Sequence, residues 1–217
     1  NLHFSADGVA LFCRVRGELT CWDLHDLRKK SMAWPRSQGA IAFNKDRSRL
    51  AAAGDGLYVL DAKSGNPLHR LDESLEGWVA GVRFAPNGRD VYFTTYGYGD
   101  DSWTLRRWNP NEPSSQQVPR AIDGVSAFTW SPDGKHLAVI KRETELWLCN
   151  PESFAPMKKL GEFAANVTIL YFTADSKTLV CGPPCQVYET DVRVRFWDVE
   201  SQEQIYPLPS EVTIGVE

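Results

Sequence analysis

The stretch SPDGKHLAVI, residues 131–140, opens on a tight turn and runs straight into an apolar strand. Asp bonds its own backbone and tolerates left-handed conformations, and Gly supplies a positive φ without steric cost, so Asp133 and Gly134 read as the tip of a hairpin. The same phrase recurs as FSADGVALF from Phe4, FNKDRSRLA from Phe43, FAPNGRDVYF from Phe84 and FTADSKTLV from Phe172. Each copy has an aromatic residue, a small or polar residue, a turn acid or amide, and then an apolar strand. The turn residues Asp7, Asp46, Asn87, Asp133 and Asp175 lie 39, 41, 46 and 42 residues apart. A fixed period of this size is the signature of a repeat architecture.

A second landmark follows every turn: TCWDL ending at Leu24, LYVLD at Asp61, LRRWN at Asn109, LWLCN at Asn150 and VRFWDV at Val199. These are alternating strands that end in Asp or Asn. Beyond each comes a polar turn, such as AKSGN or ESQEQ, and a short strand, such as PLHRL, MKKL or QIYPL. Each unit is therefore four strands, a to d, joined by turns. Five such units predict an all-β chain and a β-propeller of five four-stranded blades, over 1–36, 37–72, 73–119, 120–161 and 162–209, with 210–217 starting or closing a further blade. No window of a dozen residues holds a 3.6-residue apolar period, and the best helical candidate, HDLRKKSMAW, lacks a sustained apolar stripe.

The residues VRFWDVESQEQI (194–205) and LTCWDL (19–24) resemble the third-strand signature of the Trp-Asp (WD) repeat propellers. VAGVRFAPNGRDVYF (79–93) and FTWSPDGKHLAVI (128–140) resemble the hairpin between that family's first two strands. The resemblance covers essentially the whole chain. Only Trp22-Asp23 and Trp197-Asp198 keep the full dipeptide, and the Gly-His pair that often opens a family repeat is missing, so these blades are expected to rely on packing more than on a buried His–Asp network. Ser-Pro-Asp-Gly propellers, often periplasmic, share the hairpin but less often the Trp-Asp ending. The chain starts and stops within a first strand. Two readings follow: a ring closed at five blades by residues 212–217, or a slice of a longer propeller, seven-bladed in most of the resembled family. The strand-cutting ends favour the slice, whose partners then include the remaining blades of its parent chain.

Composition narrows the function. The chain is 42% hydrophobic and 24% charged with a net charge of −4, so it has no electrostatic footprint for nucleic acid. No apolar run approaches the roughly 20 residues of a membrane span, so no membrane partner is expected. An odd count of five cysteines argues against a disulfide framework and favours a cytoplasmic setting. Cys181 and Cys185 in CGPPCQ read as free thiols, with a loop disulfide or a metal clip as alternatives; two thiols do not complete a zinc site. His3, His25, His69 and His136 are scattered, and no nucleophile-elbow, zinc-protease or phosphate-loop motif accompanies them. The basic residues 28–30, Lys63, Lys158 and Lys159 read as solvated turn and edge charge.

What stands out is the placement of two long loops. In the resembled architecture the b–c and d–a loops share one face, to which the resemblance assigns TTYGYGDDSW (94–103) and CGPPCQVYETD (181–191). Candidate partner-binding residues there are Tyr96, Tyr98, Asp100, Asp101, Trp103, Pro183, Pro184, Tyr188 and Glu189, with Asp72, Glu73, Glu76 and Asp191 adding charge. Aromatics beside charge on rigidly held loops are a common way to build an interaction surface. The expected function is a non-catalytic scaffold or sensor module for a protein or peptide partner, basic segments being favoured, with no cofactor, no metal and no catalytic residue. The alternative is a propeller enzyme using acidic groups or a metal in a central channel. The first strands GAIAF, AGVRF, SAFTW and TILYF offer almost no such groups.

Overall fold

The computed structural model describes residues 2–5, 8–15, 18–30, 40–54, 56–71, 75, 77–97, 102–112, 120–164, 166–167, 169–182 and 194–205. Five antiparallel sheets, each of four strands in chain order, are formed by these residues. The first contains β1 (Leu2–Phe4), β2 (Ala10–Val15), β3 (Glu18–Asp23) and β4 (Arg28–Lys30). The second contains β5 (Ile41–Phe43), β6 (Arg49–Ala53), β7 (Leu57–Asp61) and β8 (Pro67–Leu71). The third contains β9 (Trp78–Phe84), β10 (Val91–Tyr96), β11 (Trp103–Trp108) and β12 (Arg120–Asp123). The fourth contains β13 (Val125–Trp130), β14 (Leu137–Lys141), β15 (Glu145–Cys149) and β16 (Pro156–Glu162). The fifth contains β17 (Ile169–Phe172), β18 (Thr178–Gly182), β19 (Arg195–Asp198) and β20 (Gln204–Ile205).

The repeated hairpin is one hydrogen-bonding device used five times. The N–H groups of Ala10, Arg49, His136 and Thr178 donate to the side-chain oxygens of Ser5, Asn44, Ser131 and Thr173 at 2.9–3.0 Å. Asp46, Asn87, Asp133 and Asp175 each accept the N–H two residues on, at 2.9–3.1 Å. The next residue takes a positive φ, at Gly8, Arg47, Gly88, Gly134 and Ser176. In the third repeat Ala85 has no side chain to accept a bond. There Asp90 is enlisted instead: its N–H donates to Asn87 Oδ1 at 3.2 Å, and its Oδ2 accepts Asn87 Nδ2 at 2.8 Å and Arg107 Nη2 at 3.0 Å. A charge-assisted bond to a buried carboxylate offsets the missing hydroxyl.

The residue ending each third strand is also a turn cap. Asp23, Asp61, Asn109 and Asn150 accept the N–H of His25, Lys63, Asn111 and Glu152, and Asp198 accepts that of Ser201. The acid of the Trp-Asp dipeptide thus closes the c–d turn. In the segment offered as the best helical candidate, the described residues 25–30 form a turn followed by β4, because they have no helical apolar stripe to bury. Strand β12 pairs with β11 and carries the third sheet to Asp123, beyond the expected boundary at 119.

The chain divides into two compact units, Asn1–Gly124 with three sheets and Val125–Glu217 with two. In the first unit, Ala10, Phe12 and Cys21 of the first sheet pack on Leu50, Ile41 and Phe43 of the second. Ala51, Ala53, Leu57 and Val59 of the second sheet in turn pack on Val79, Val82, Phe93 and Trp108 of the third. In the second unit, Ala138, Ile140, Leu146 and Leu148 meet Phe172, Leu179, Cys181 and Trp197. First strands of consecutive sheets lie side by side, β5 with β9 and β13 with β17. A single four-stranded sheet leaves an apolar face bare; stacking the next one on it builds the core. No helix among the described residues is long and apolar enough to cross a membrane.

Candidate functional site

At one end of the third sheet, three aromatic residues stand in a row. Tyr96 pairs with Trp103 across β10–β11 and with Trp78 across β10–β9. Directly opposed residues project to the same face, so the three rings share it. Ring centroids are 4.9 Å apart for Tyr96–Trp103, 6.5 Å for Trp78–Tyr96 and 6.4 Å for Trp78–Trp103, all tilted or edge-on. These are favourable aromatic geometries, worth about 0.5–1.5 kcal/mol per pair beyond burial. Trp78 remains 45% exposed, and Tyr96 and Trp103 are half-buried.

The row is held from below and from both sides. The Gly97 N–H donates to Ser102 O at 2.9 Å and closes the b–c loop, while the Gly124 N–H donates to Trp103 O at 2.6 Å. Gly77 has φ 99° and lies so close under the Tyr96 carbonyl that no side chain fits there. On the other face of the sheet, since Thr104 follows Trp103 along β11, Thr104 Oγ1 donates to the exposed Asp123 Oδ1 at 3.5 Å.

Of the residues singled out from sequence, the structure brings Tyr96 and Trp103 together. Tyr98, Asp100, Asp101, Pro183, Pro184, Tyr188, Glu189 and the flanking acids Asp72, Glu73, Glu76 and Asp191 lie outside the described residues. Sequence reasoning missed Trp78, which lies one residue before the stretch read as a hairpin. Its signal was available: a Trp directly after Gly77, at the mouth of a d–a loop, is an aromatic at a strand's first position.

Other chemistry-bearing groups are dispersed. Among the described residues, no three His, Cys, Asp or Glu side chains gather as a metal site requires. His69 has its pKa lowered by burial and then by Arg49, and His136 Nδ1 is buried without a partner. Cys149 and Cys181 are free, buried thiols, pushed up to about 11 and about 12 by desolvation, so both are inert. Cys181 is part of β18 and Cys185 lies outside the described residues. The surface carboxylates Asp46, Asp61, Asp133, Asp175 and Asp198 are held below the usual range by their turn bonds to Ser48, Ser64, Ser131, Thr173 and Ser201. They are structural caps.

Neither a protein-family model nor a curated protein matches the chain. Solved structures do. The β-propeller domain of Cps50 (Swd1) from Myceliophteria thermophila aligns with a TM-score of 0.68 and 16% identity, over 99% of this chain and 67% of that one. The hydrazine synthase of Kuenenia stuttgartiensis aligns with a TM-score of 0.68 and 17% identity, over 92% of this chain and 62% of that one. At such identities the likeness is one of fold, and the chain spans about two thirds of the length of each. The five four-stranded sheets are those of a β-propeller fold.

Proposed function

We propose that this chain is a degenerate Trp-Asp-repeat propeller region that works as a non-catalytic interaction module, presenting its loop ends to a protein or peptide partner. The observation carrying this reading is the Trp78–Tyr96–Trp103 row: three large rings, partly exposed, on paired strands rather than on a mobile loop. Trp and Tyr on a rigid base are the anchors that dominate binding energy, since little conformational entropy is lost when they engage. The net charge of −4 favours a partner segment carrying Lys or Arg by electrostatic steering. The buried free thiols Cys149 and Cys181 suit a reducing compartment such as the cytoplasm.

An enzymatic reading draws less support. The first strands β1, β5, β9, β13 and β17, which would line a channel, carry the sequences LHF, IAF, WVAGVRF, VSAFTW and ILYF, with no carboxylate among them and His3 as the single imidazole. Fold likeness to a chain named as a hydrazine synthase does not transfer its chemistry.

The test is selection of a displayed random-peptide library on the immobilised chain. Enrichment of basic peptides, with affinity reduced at least ~30-fold by W103A or W78A, is expected, since an anchor residue is worth about 2 kcal/mol or more. Binders that tolerate both substitutions would refute the site.

A further inference from the structure

A second surface, at the opposite end of the second and third sheets, has the reverse chemistry. The a–b turns at residues 44–49 and 86–89 and the c–d turn at Asn111 enclose an open cleft of about 650 Å³, wholly within the first unit. Three cations line it, Lys45 and Arg49 from one turn and Arg89 from the next, against a single carboxylate, Asp46. Asp46 is already engaged: its Oδ1 accepts the Ser48 N–H at 2.9 Å and the Ser48 hydroxyl at 2.6 Å. Among the described residues the side chains of the three cations make no hydrogen bond or ion pair, whereas Arg107 close by is spent on Asp90 at 3.0 Å. A cleft with two unbalanced positive charges in a chain of net charge −4 is a local inversion of the protein's own field.

The rest of the lining narrows the ligand. Asn44, Asn87 and Asn111 bring amide groups, and Pro86 is the one apolar side chain there. Such walls offer no aromatic ring for a base to stack on, and polar groups for a polar carrier to bond. The excess of two charges matches a phosphomonoester, which carries about −1.5 to −2 near neutral pH and three strong acceptor oxygens. A volume of about 650 Å³ falls within the usual size range of small-ligand sites and exceeds a bare phosphate. We infer that the cleft between the a–b turns of the second and third sheets binds a phosphomonoester on a polar carrier, through Lys45, Arg49 and Arg89. A phosphorylated peptide and a sugar phosphate both present that chemistry. This surface is independent of the aromatic row and does not rest on it.

The test uses the whole chain and three probes: a degenerate peptide pool with central phosphoserine, a hexose phosphate, and inorganic phosphate, the first two paired with their unphosphorylated twins. At least one phosphorylated carrier should bind, its twin should not, and inorganic phosphate should bind more weakly. R89Q should weaken binding about two- to five-fold, the range for one exposed ion pair, and K45E/R89E by about ten-fold or more. Raising salt should weaken it further, and W78A/W103A should leave it unchanged. Lys45 and Arg89 are exposed, so an unaltered melt of K45E/R89E checks that folding is intact. Equal binding of phosphorylated and plain probes, undiminished binding by a folded K45E/R89E, no binding at millimolar probe, or inorganic phosphate binding as tightly as either carrier would each overturn the proposal.

Discussion

Replacing Gly77 by Ala tests whether the aromatic row is held by the backbone beneath it. Two terms act. The first is conformational: Gly77 has φ 99°, where an L-residue costs about 1–2 kcal/mol. The second is steric: a Cβ would fall inside contact distance of the Tyr96 carbonyl oxygen, 2.7 Å from its carbon and 3.0 Å from Gly97 Cα. Both neighbours are backbone, so relief requires the end of β10 to move away by several tenths of an ångström or more. Overpacking of that kind costs about 1–3 kcal/mol. Gly124, at the same end of the same sheet, supplies the control: φ is 76° there, but nothing lies within 4 Å of an added Cβ. G124A should therefore lose about 1–2 kcal/mol, from strain alone. G77A should lose a further ~1–3 kcal/mol, and in urea its midpoint should fall below that of G124A by roughly 0.5–1 M. Equilibrium urea unfolding at 25 °C reads the difference, and near-UV circular dichroism reports the packing of Trp78, Tyr96 and Trp103. Equal losses in the two variants, with an unchanged aromatic spectrum in G77A, would refute the reasoning.

Three further outcomes follow from the same geometry. Trp197 is 1% exposed and its Nε1 donates to Leu160 O at 3.3 Å, whereas Trp22 is 37% exposed; W197A should cost about 3–5 kcal/mol and W22A less than about half of that, by denaturant titration. The turn carboxylates Asp46, Asp61, Asp133, Asp175 and Asp198 have folded pKa values below their unfolded ones, so their stabilisation is present above the ordinary carboxylate pKa and is lost as pH falls through the folded values. Melts should drop steeply below about pH 4, and D133N, which keeps the accepting oxygen, should lose part of that slope; a D133N profile identical to that of the parent would contradict the assignment. Cys181, with its thiol at about 12, should be essentially unlabelled by a thiolate-selective reagent at pH 8 in the folded state and label rapidly in denaturant, as peptide mapping would show.

The sheets were legible because each is written locally. An aromatic residue, a turn acid or amide and an apolar strand recur within ten residues, and every strand pairs with its sequence neighbour, so no long-range information is needed to place it. The exchange in the third repeat was not legible, because the Asp90 N–H, lacking an acceptor on Ala85, donates to Asn87 Oδ1, and its carboxylate accepts from Asn87 and from Arg107, the latter on another strand. The site divides in the same way. Tyr96 and Trp103 flank one loop and could be found by eye, but Trp78 joins them through a register set by β9–β10 pairing. The cleft cations were invisible for a similar reason: Lys45 and Arg89 are single charges in separate repeats, adjacent only once two sheets are stacked.

The strictly sequential strand order also sets how the protein is made. No described sheet waits for a strand from elsewhere in the chain, so contact order within each sheet is low. At a ribosomal rate of about 5–20 residues per second, a repeat emerges every few seconds, whereas a hairpin forms in microseconds. Each sheet can therefore close before its successor exists. It then waits with an apolar face uncovered, Ala138, Ile140, Leu146 and Leu148 in the case of the fourth, until Trp197 and Leu179 arrive to cover it. During that interval the nascent chain is most exposed to chaperones and to miscoupling with a second copy, and the hazard returns once for every sheet added.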